Sequence, residues 1–275
     1  MIAYIKEKKI TGLNYISNDG GGSGDCDLDF TQIGYEGTPQ SMIDAIEYAK
    51  EIQTNWDAEN ANIAEYFRDD NNLVFFPVVD LSKVKYASDL FRDCQRLSII
   101  PANLNMQNLK TVAGLCSGCT CLQHIDCSNW NVSENLTLMQ AMFRGCSSLE
   151  SANLTNWNTS NVTNMADLFF GCGKLKTAKL NNLDTTKVTD IARCFSACSS
   201  VEILDLGSWN LSNVKTINSM FELCGNLKSL NIQNFQLSAV TNINKMFRMC
   251  SGLTSLDLSN WNTSNVTAME GVFAY

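Results

Sequence analysis

The chain has 275 residues, 45% of them apolar, enough for a sizeable core, and a net charge of −8. With 20 Lys+Arg against 28 Asp+Glu and no basic run beyond Lys6 to Lys9, it lacks the clustered cations that binding a phosphate backbone requires, so a nucleic-acid partner is excluded. No stretch approaches the roughly 18 consecutive apolar residues of a membrane-spanning helix, and no membrane insertion is expected.

The first ten residues have no apolar core behind a basic start, so they do not read as a secretory leader. Asp19 to Gly24 has linker composition. Residues 1–24 are therefore expected to be a tail and linker, either disordered or an anchor peptide for a neighbouring protein such as a virion component. Residues 25–70 read as a separate region. Asp25 to Phe30 alternates polar and apolar residues, as an edge strand does. Thr38-Pro39 reads as N-cap and first turn. Met42, Ile46, Ala49, Ile52 and Trp56 then recur on one face of an amphipathic helix. Ile63, Tyr66 and Phe67 suggest a second, shorter helix.

From residue 71 onward a repeat governs the chain. Cys94, Cys119, Cys146, Cys172, Cys198, Cys224 and Cys250 are separated by 25, 27, 26, 26, 26 and 26 residues. Three residues before each lies Phe91, Cys116, Phe143, Phe169, Phe195, Phe221 or Phe247. Eleven residues after come Trp130, Trp157, Leu183, Trp209, Phe235 and Trp261. One unit shows the logic. Leu149-x-x-Ala152-x-Leu154 alternates like a short strand, and Asn158-Thr-Ser-Asn161 is turn chemistry. Val162, Met165, Leu168, Phe169 and Cys172 have the spacing of a short helix face, with Thr163 as its N-cap and Gly171 as its stop.

A single unit cannot bury its apolar face, whereas stacked units can. The expected fold is an α/β repeat, a leucine-rich-repeat-like right-handed solenoid of about 26 residues per turn. Its parallel sheet lies on one side and its short helices on the other. Residues 71–275 form about seven repeats, and residues 25–70 a helical N-terminal cap, because an open array end exposes its core and its strand edges. Val272-Phe273 match Leu168-Phe169, so the last residues fall inside a unit. That leaves an uncapped end for a partner, a further segment or an oligomer.

The cysteines read as core. The seven of the ladder, with Cys116, Cys127 and Cys194, occupy apolar slots, and ten of the twelve are expected to be buried free thiols. Cys116, Cys119, Cys121, His124 and Cys127 have the composition of a zinc site. The register, however, turns Cys116, Cys119 and Cys127 inward and His124 outward, so neither a metal nor a cofactor is expected. His124 is the one histidine, and no nucleophile elbow or phosphate-cradling loop accompanies it. Enzymatic activity is not expected.

The candidate ligand-binding positions are two outward columns on the sheet face. His124, Ser151, Thr177, Ile203, Ser229 and Ser255 form one; Asp126, Asn153, Lys179, Asp205, Asn231 and Asp257 form the other. The site proper is expected at His124, Asp126, Asn153, Lys179, Asp205, Asn231 and Asp257. Asn129, Asn156, Asn182, Asn234 and Asn260 form a turn column, expected as an asparagine ladder.

The runs Asn156-Trp-Asn-Thr-Ser-Asn-Val-Thr-Asn-Met165, closed by Phe169-x-x-Cys172, and Leu258 to Thr267 resemble the BspA-like bacterial leucine-rich-repeat proteins. The resemblance spans residues 71–275. It implies a binding or adhesion protein of the cell surface or of a secreted kind, and similar arrays occur in bacterial prophages. The missing leader and the non-repeat front end shift the expected location to a phage particle or the cytoplasm. The expected function is a non-enzymatic module that recognises a protein or cell-surface glycan through the sheet face, as in a phage receptor-binding or tail appendage. The alternatives are a structural assembly protein of a virion and an intracellular scaffold.

Overall fold

The computed structural model describes residues 61–275 apart from Asn72, Pro77 and Val78. The tail and linker of residues 1–24, the edge strand from Asp25 and the amphipathic helix from Thr38 lie outside the described residues.

The described chain is a stack of coils joined by parallel ladders. The named strands are short: β1 Ala61–Asn62, β2 Val84–Tyr86, β3 His124–Asp126, β4 Ser151–Asn153, β5 Thr177–Lys179, β6 Ile203–Asp205 and β7 Ser229–Asn231. β3, β4 and β5 form one parallel sheet and β6 and β7 another. In register, His124 faces Ser151 and Ser151 faces Thr177, while Ile203 faces Ser229. These are the partners that the cysteine frame implies.

A second ladder runs down another side of the coils. It begins where β1 pairs with β2, placing Asn62 beside Tyr86, and continues through Thr111, Leu138, Asn164, Asp190, Thr216, Asn242 and Ala268. Ile63 and Phe67 thus belong to a coil and not to a separate helix. The Ile63 amide donates to the Tyr86 carbonyl at 2.9 Å, that of Phe67 donates to Leu90 at 3.0 Å, and the Phe67 ring stacks on Phe91 at 5.9 Å. This corrects the expected short helix around Tyr66 and puts coil structure inside the segment assigned to the cap.

The same correction applies to the expected short helices in every repeat: the segment before each cysteine is a run of β-turns. The Leu90 amide returns to Ala87 at 3.3 Å and that of Cys94 to Phe91 at 3.1 Å, each a three-residue step. The intervening amides of Asp89, Phe91 and Asp93 donate outward to Ala113, Leu115 and Ser117 of the next coil at 2.8, 2.9 and 2.7 Å. A helix would send every amide back four residues along its own chain. Here alternate amides join coil to coil, which a positive φ at the third turn residue makes possible, as at Asp89 (54°) and Asp93 (57°). Gly171, expected as a helix stop, is such a corner, with φ 75°. Thr163, expected as an N-cap, donates its hydroxyl to the Thr137 carbonyl of the preceding coil at 3.3 Å.

The core is a set of columns. Phe143, Phe169, Phe195, Phe221, Phe247 and Phe273 stack ring on ring at 5.4 to 5.9 Å. Cys116 takes the slot between Phe91 and Phe143 and is fully buried. Each ladder thiol donates to a carbonyl of the coil before, for example Cys172 to Phe143 at 3.1 Å and Cys198 to Phe169 at 3.2 Å. Three indole N–H groups do likewise: Trp130 donates to Pro101 at 2.8 Å, Trp157 to Cys127 at 2.9 Å and Trp209 to Leu180 at 3.4 Å. These buried thiols and indoles are thus paired with the neighbouring coil, where leaving one unpaired would cost about 1–3 kcal/mol. Among the described residues the Trp261 Nε1 of the last coil, Arg92 Nε and Gln140 Oε1 are buried without a hydrogen-bond partner.

Candidate functional site

The sheet face is built by alternation. In β3 and β6 the middle residues, Ile125 and Leu204, enter the core, and the flanking His124, Asp126, Ile203 and Asp205 are exposed. The structure therefore assembles the expected residues in two groups: His124, Asp126, Asn153 and Lys179 on β3 to β5, and Asp205 and Asn231 on β6 and β7. Asp257 is exposed and lies outside the named strands.

Most side chains of the second column also close the turn that follows the strand. The Asp126 carboxylate accepts the Ser128 amide at 3.0 Å, and Asn153 accepts that of Thr155 at 3.1 Å. Asp205 accepts Gly207 at 3.1 Å, Asn231 accepts Gln233 at 3.3 Å, and Asp257 accepts Ser259 at 2.9 Å. These are Asx-turns, in which a short acceptor side chain replaces a backbone turn bond. Adjacent members are also linked: the Asn153 amide donates to Asp126 at 3.0 Å and that of Asn231 to Asp205 at 2.8 Å. Hydrogen bonds from the Ser128 hydroxyl and amide hold the Asp126 carboxyl below its ordinary range, and those from Ser259 do the same for Asp257. Lys179 is the exception, a cation in an acceptor column. His124 Nδ1 lies 2.9 Å from the Ser151 hydroxyl.

A charged row that the sequence reading missed borders the columns. Lys176 pairs with Glu150 at 2.7 Å and Lys228 with Glu202 at 2.9 Å, and the hydrogen bond from Lys176 lowers the Glu150 carboxyl. The signal was present as Glu, Lys, Glu, Lys at a 26-residue spacing, but charge adds nothing to a periodic search based on apolar residues. The asparagine ladder also differs from expectation. Asn156 and Asn234 donate to the Ser128 and Gly207 carbonyls. A more regular ladder runs through Asn108, Asn135, Asn161, Asn213 and Asn265, each donating to a carbonyl of the preceding coil.

Cys116, Cys119 and Cys127 are buried while His124 is exposed, so these groups do not converge on one point. Among the described residues ten cysteines are free and buried. Desolvation pushes their thiols upward, to about 11 for Cys250 and well above the ordinary value for Cys119, Cys127, Cys146, Cys172 and Cys224, so thiolate chemistry is suppressed. In the last coil Leu256, Trp261 and Val266 are half-buried and Met269, Phe273 and Tyr275 exposed. No helix among the described residues is long and apolar enough to cross a membrane.

No curated protein matches the sequence. Among solved structures, the chain is similar to a leucine-rich-repeat protein of T. pallidum, with 21% identity over 66% of this chain and 79% of that one and a TM-score of 0.44. A leucine-rich-repeat protein of Leptospira interrogans is 16% identical over 81% of this chain and 56% of that one, with a TM-score of 0.37. One from Bacteroides ovatus is 18% identical over 75% and 65%, with a TM-score of 0.29. A family match covers residues 62–152, 137–230 and 189–275, the same stretch over which the coils stack, and the chain belongs to the family described as "Mycoplasma protein of unknown function, DUF285".

Proposed function

We propose that this protein is a non-enzymatic binding module whose sheet face, from His124 to Asp257, recognises a protein or a glycan. The observation that carries the reading is the side-chain order on that face. Asp126, Asn153, Asp205, Asn231 and Asp257 are held by turn bonds, so a ligand meets groups whose conformational entropy is already spent. The W-N-T-S-N-V-T repeats, similar to those of BspA-like adhesion proteins, support the same reading. So does the burial of the ten free thiols among the described residues, which suppresses them as nucleophiles.

The test is a screen of the full chain against a glycan array and against purified bacterial surface proteins. It is followed by Asp126→Asn, Asp205→Asn and Asp257→Asn, which keep the turn-closing oxygen and remove only the charge. Binding is expected to weaken in the triple variant and to become less sensitive to salt. A ligand bound equally well by the triple variant, with unchanged salt dependence, moves the site off this face.

A further inference from the structure

We infer that the partner on the sheet face is a polypeptide segment, seated by an apolar side chain on Ile203 and by a carboxylate on Lys179. This rests on the binding reading above and specifies its ligand.

Ile203 is 67% exposed, more than any other large hydrophobic residue of the described chain except Tyr275. The equivalent positions in the other coils are His124, Ser151, Thr177, Ser229 and Ser255, so the polar norm of the column is broken once. A lone exposed apolar residue is unremarkable by itself. Ile203, however, stands between the short Thr177 and Ser229 side chains, at the point where β5 and β6 are not joined in one sheet. It projects above its neighbours and can be capped by a side chain from outside.

The second feature is Lys179. The other lysines bordering the face, Lys176 and Lys228, are committed to Glu150 and Glu202. Lys179 forms no ion pair among the described residues, and it occupies a slot that in the neighbouring coils holds Asn153 and Asp205. The Asp205 carboxylate is itself taken by the Gly207 amide and the Asn231 side chain. Lys179 is thus a cation without a contact ion pair, felt at longer range by the Asp126 carboxylate, one coil from the apolar knob.

Ile203 aligns with the position of Thr177, two residues before Lys179. A strand spacing of about 4.8 Å and a two-residue rise of about 6.6 Å then place the two anchors on the order of 8 Å apart. An extended segment covers that distance with an apolar residue and an Asp or Glu two positions away. A glycan fits less well. Large aromatic side chains offer the broad π-faces on which a sugar ring can be stacked, and neither sheet-face column carries a Phe, Tyr or Trp. The net charge of −8 disfavours acidic ligands in general, so selection of an acidic residue would report a local contact.

The experiment pans the full chain against a phage-displayed library of random peptides and measures the enriched peptides by calorimetry. Enrichment of an aliphatic or aromatic residue with Asp or Glu two positions away is expected. Ile203→Ser, which installs the residue found at Ser151 and Ser229, is expected to weaken binding about tenfold or more, near 1.4 kcal/mol. Lys179→Glu is expected to abolish binding and to regain it when the peptide acid is replaced by Lys. The far-UV spectrum and melting temperature should be unchanged in both variants, because both positions are exposed. No enrichment, or peptides bound equally by both variants, overturns the proposal. If those peptides still lose affinity for the triple Asp→Asn variant, the sheet face stands and only the anchor assignment falls. A glycan-array hit that depends on Ile203 overturns the polypeptide class while leaving the face in place.

Discussion

At Gly118 the backbone φ is 77°, and a Cβ would fall on the Asp93 carboxylate of the preceding coil. Gly145 has a similar φ of 71°, but its nearest neighbour would be 3.8 Å away, and the same column accepts Ala197 at 61°. The two glycines should therefore respond differently to alanine. Gly145→Ala is expected to cost about 1 kcal/mol, the strain of a positive φ alone. Gly118→Ala is expected to cost about 2–3 kcal/mol more, and Asp93→Ala in the same chain should recover that excess. Urea melts of these three variants and of Asp93→Ala alone check this; equal costs at the two glycines would refute it. The thiols give a second residue-scale expectation. All ten are free and buried, so a colorimetric thiol reagent should detect none of them in the folded protein and all of them in denaturant. Rapid native labelling would contradict the thiol-to-carbonyl ladder.

At the scale of the element, the phenylalanine stack and the thiol ladder make different predictions. Phe195 packs between Phe169 and Phe221 at 5.6 and 5.9 Å, and Phe195→Ala is expected to cost about 3–5 kcal/mol through lost burial and a central void. The thiols act through linkage. Their folded values lie above the unfolded one, taken as 9.0. The neutral-thiol contribution is therefore fully present below pH 9 and is lost as pH rises from there through the folded values. Each thiol adds up to about 1.4 kcal/mol per pH unit to the slope, so chemical-denaturation midpoints should fall steeply above pH 9. A plateau to pH 10.5 would show that the thiols are not desolvated. The carboxylates have the opposite sign. Asp126 and Asp184 are held low by Ser128 and Thr186, so their contribution is present above the unfolded carboxylate range near 4 and is lost as pH falls below it. Both are exposed, so the loss should be shallow.

At the scale of the molecule, each coil bonds only to its two neighbours, and stability is close to a sum of coil and interface terms. Removing Cys146 to Gly171, one whole 26-residue unit, joins Gly145 to Cys172 and leaves every column continuous. That deletion is expected to fold with a lowered melting temperature. Removing half as many residues from the same place should instead abolish the cooperative transition, because it sets polar residues opposite the core. Circular dichroism melts of the two deletions distinguish the cases.

The sequence by itself determined the coil length, the inward and outward columns and the strand register. Cysteine, phenylalanine and tryptophan recur in one frame, and an in-register stack is the arrangement that buries all of them together. It also placed the ten thiols in the core and turned the polar columns outward. It did not determine what lies between strand and cysteine. The spacing of Val162, Met165, Leu168, Phe169 and Cys172 suits a helix face and a run of β-turns equally, since both bury residues three apart. The choice depends on where the amides find acceptors, and only the stack puts carbonyls such as those of Ala113 and Leu115 within reach of alternate amides. The double duty of Asp126 and Asp205, as turn-closers and as surface charges, was likewise decided by tertiary structure. A sequence position shows that a side chain is exposed, but not how many of its lone pairs are already taken.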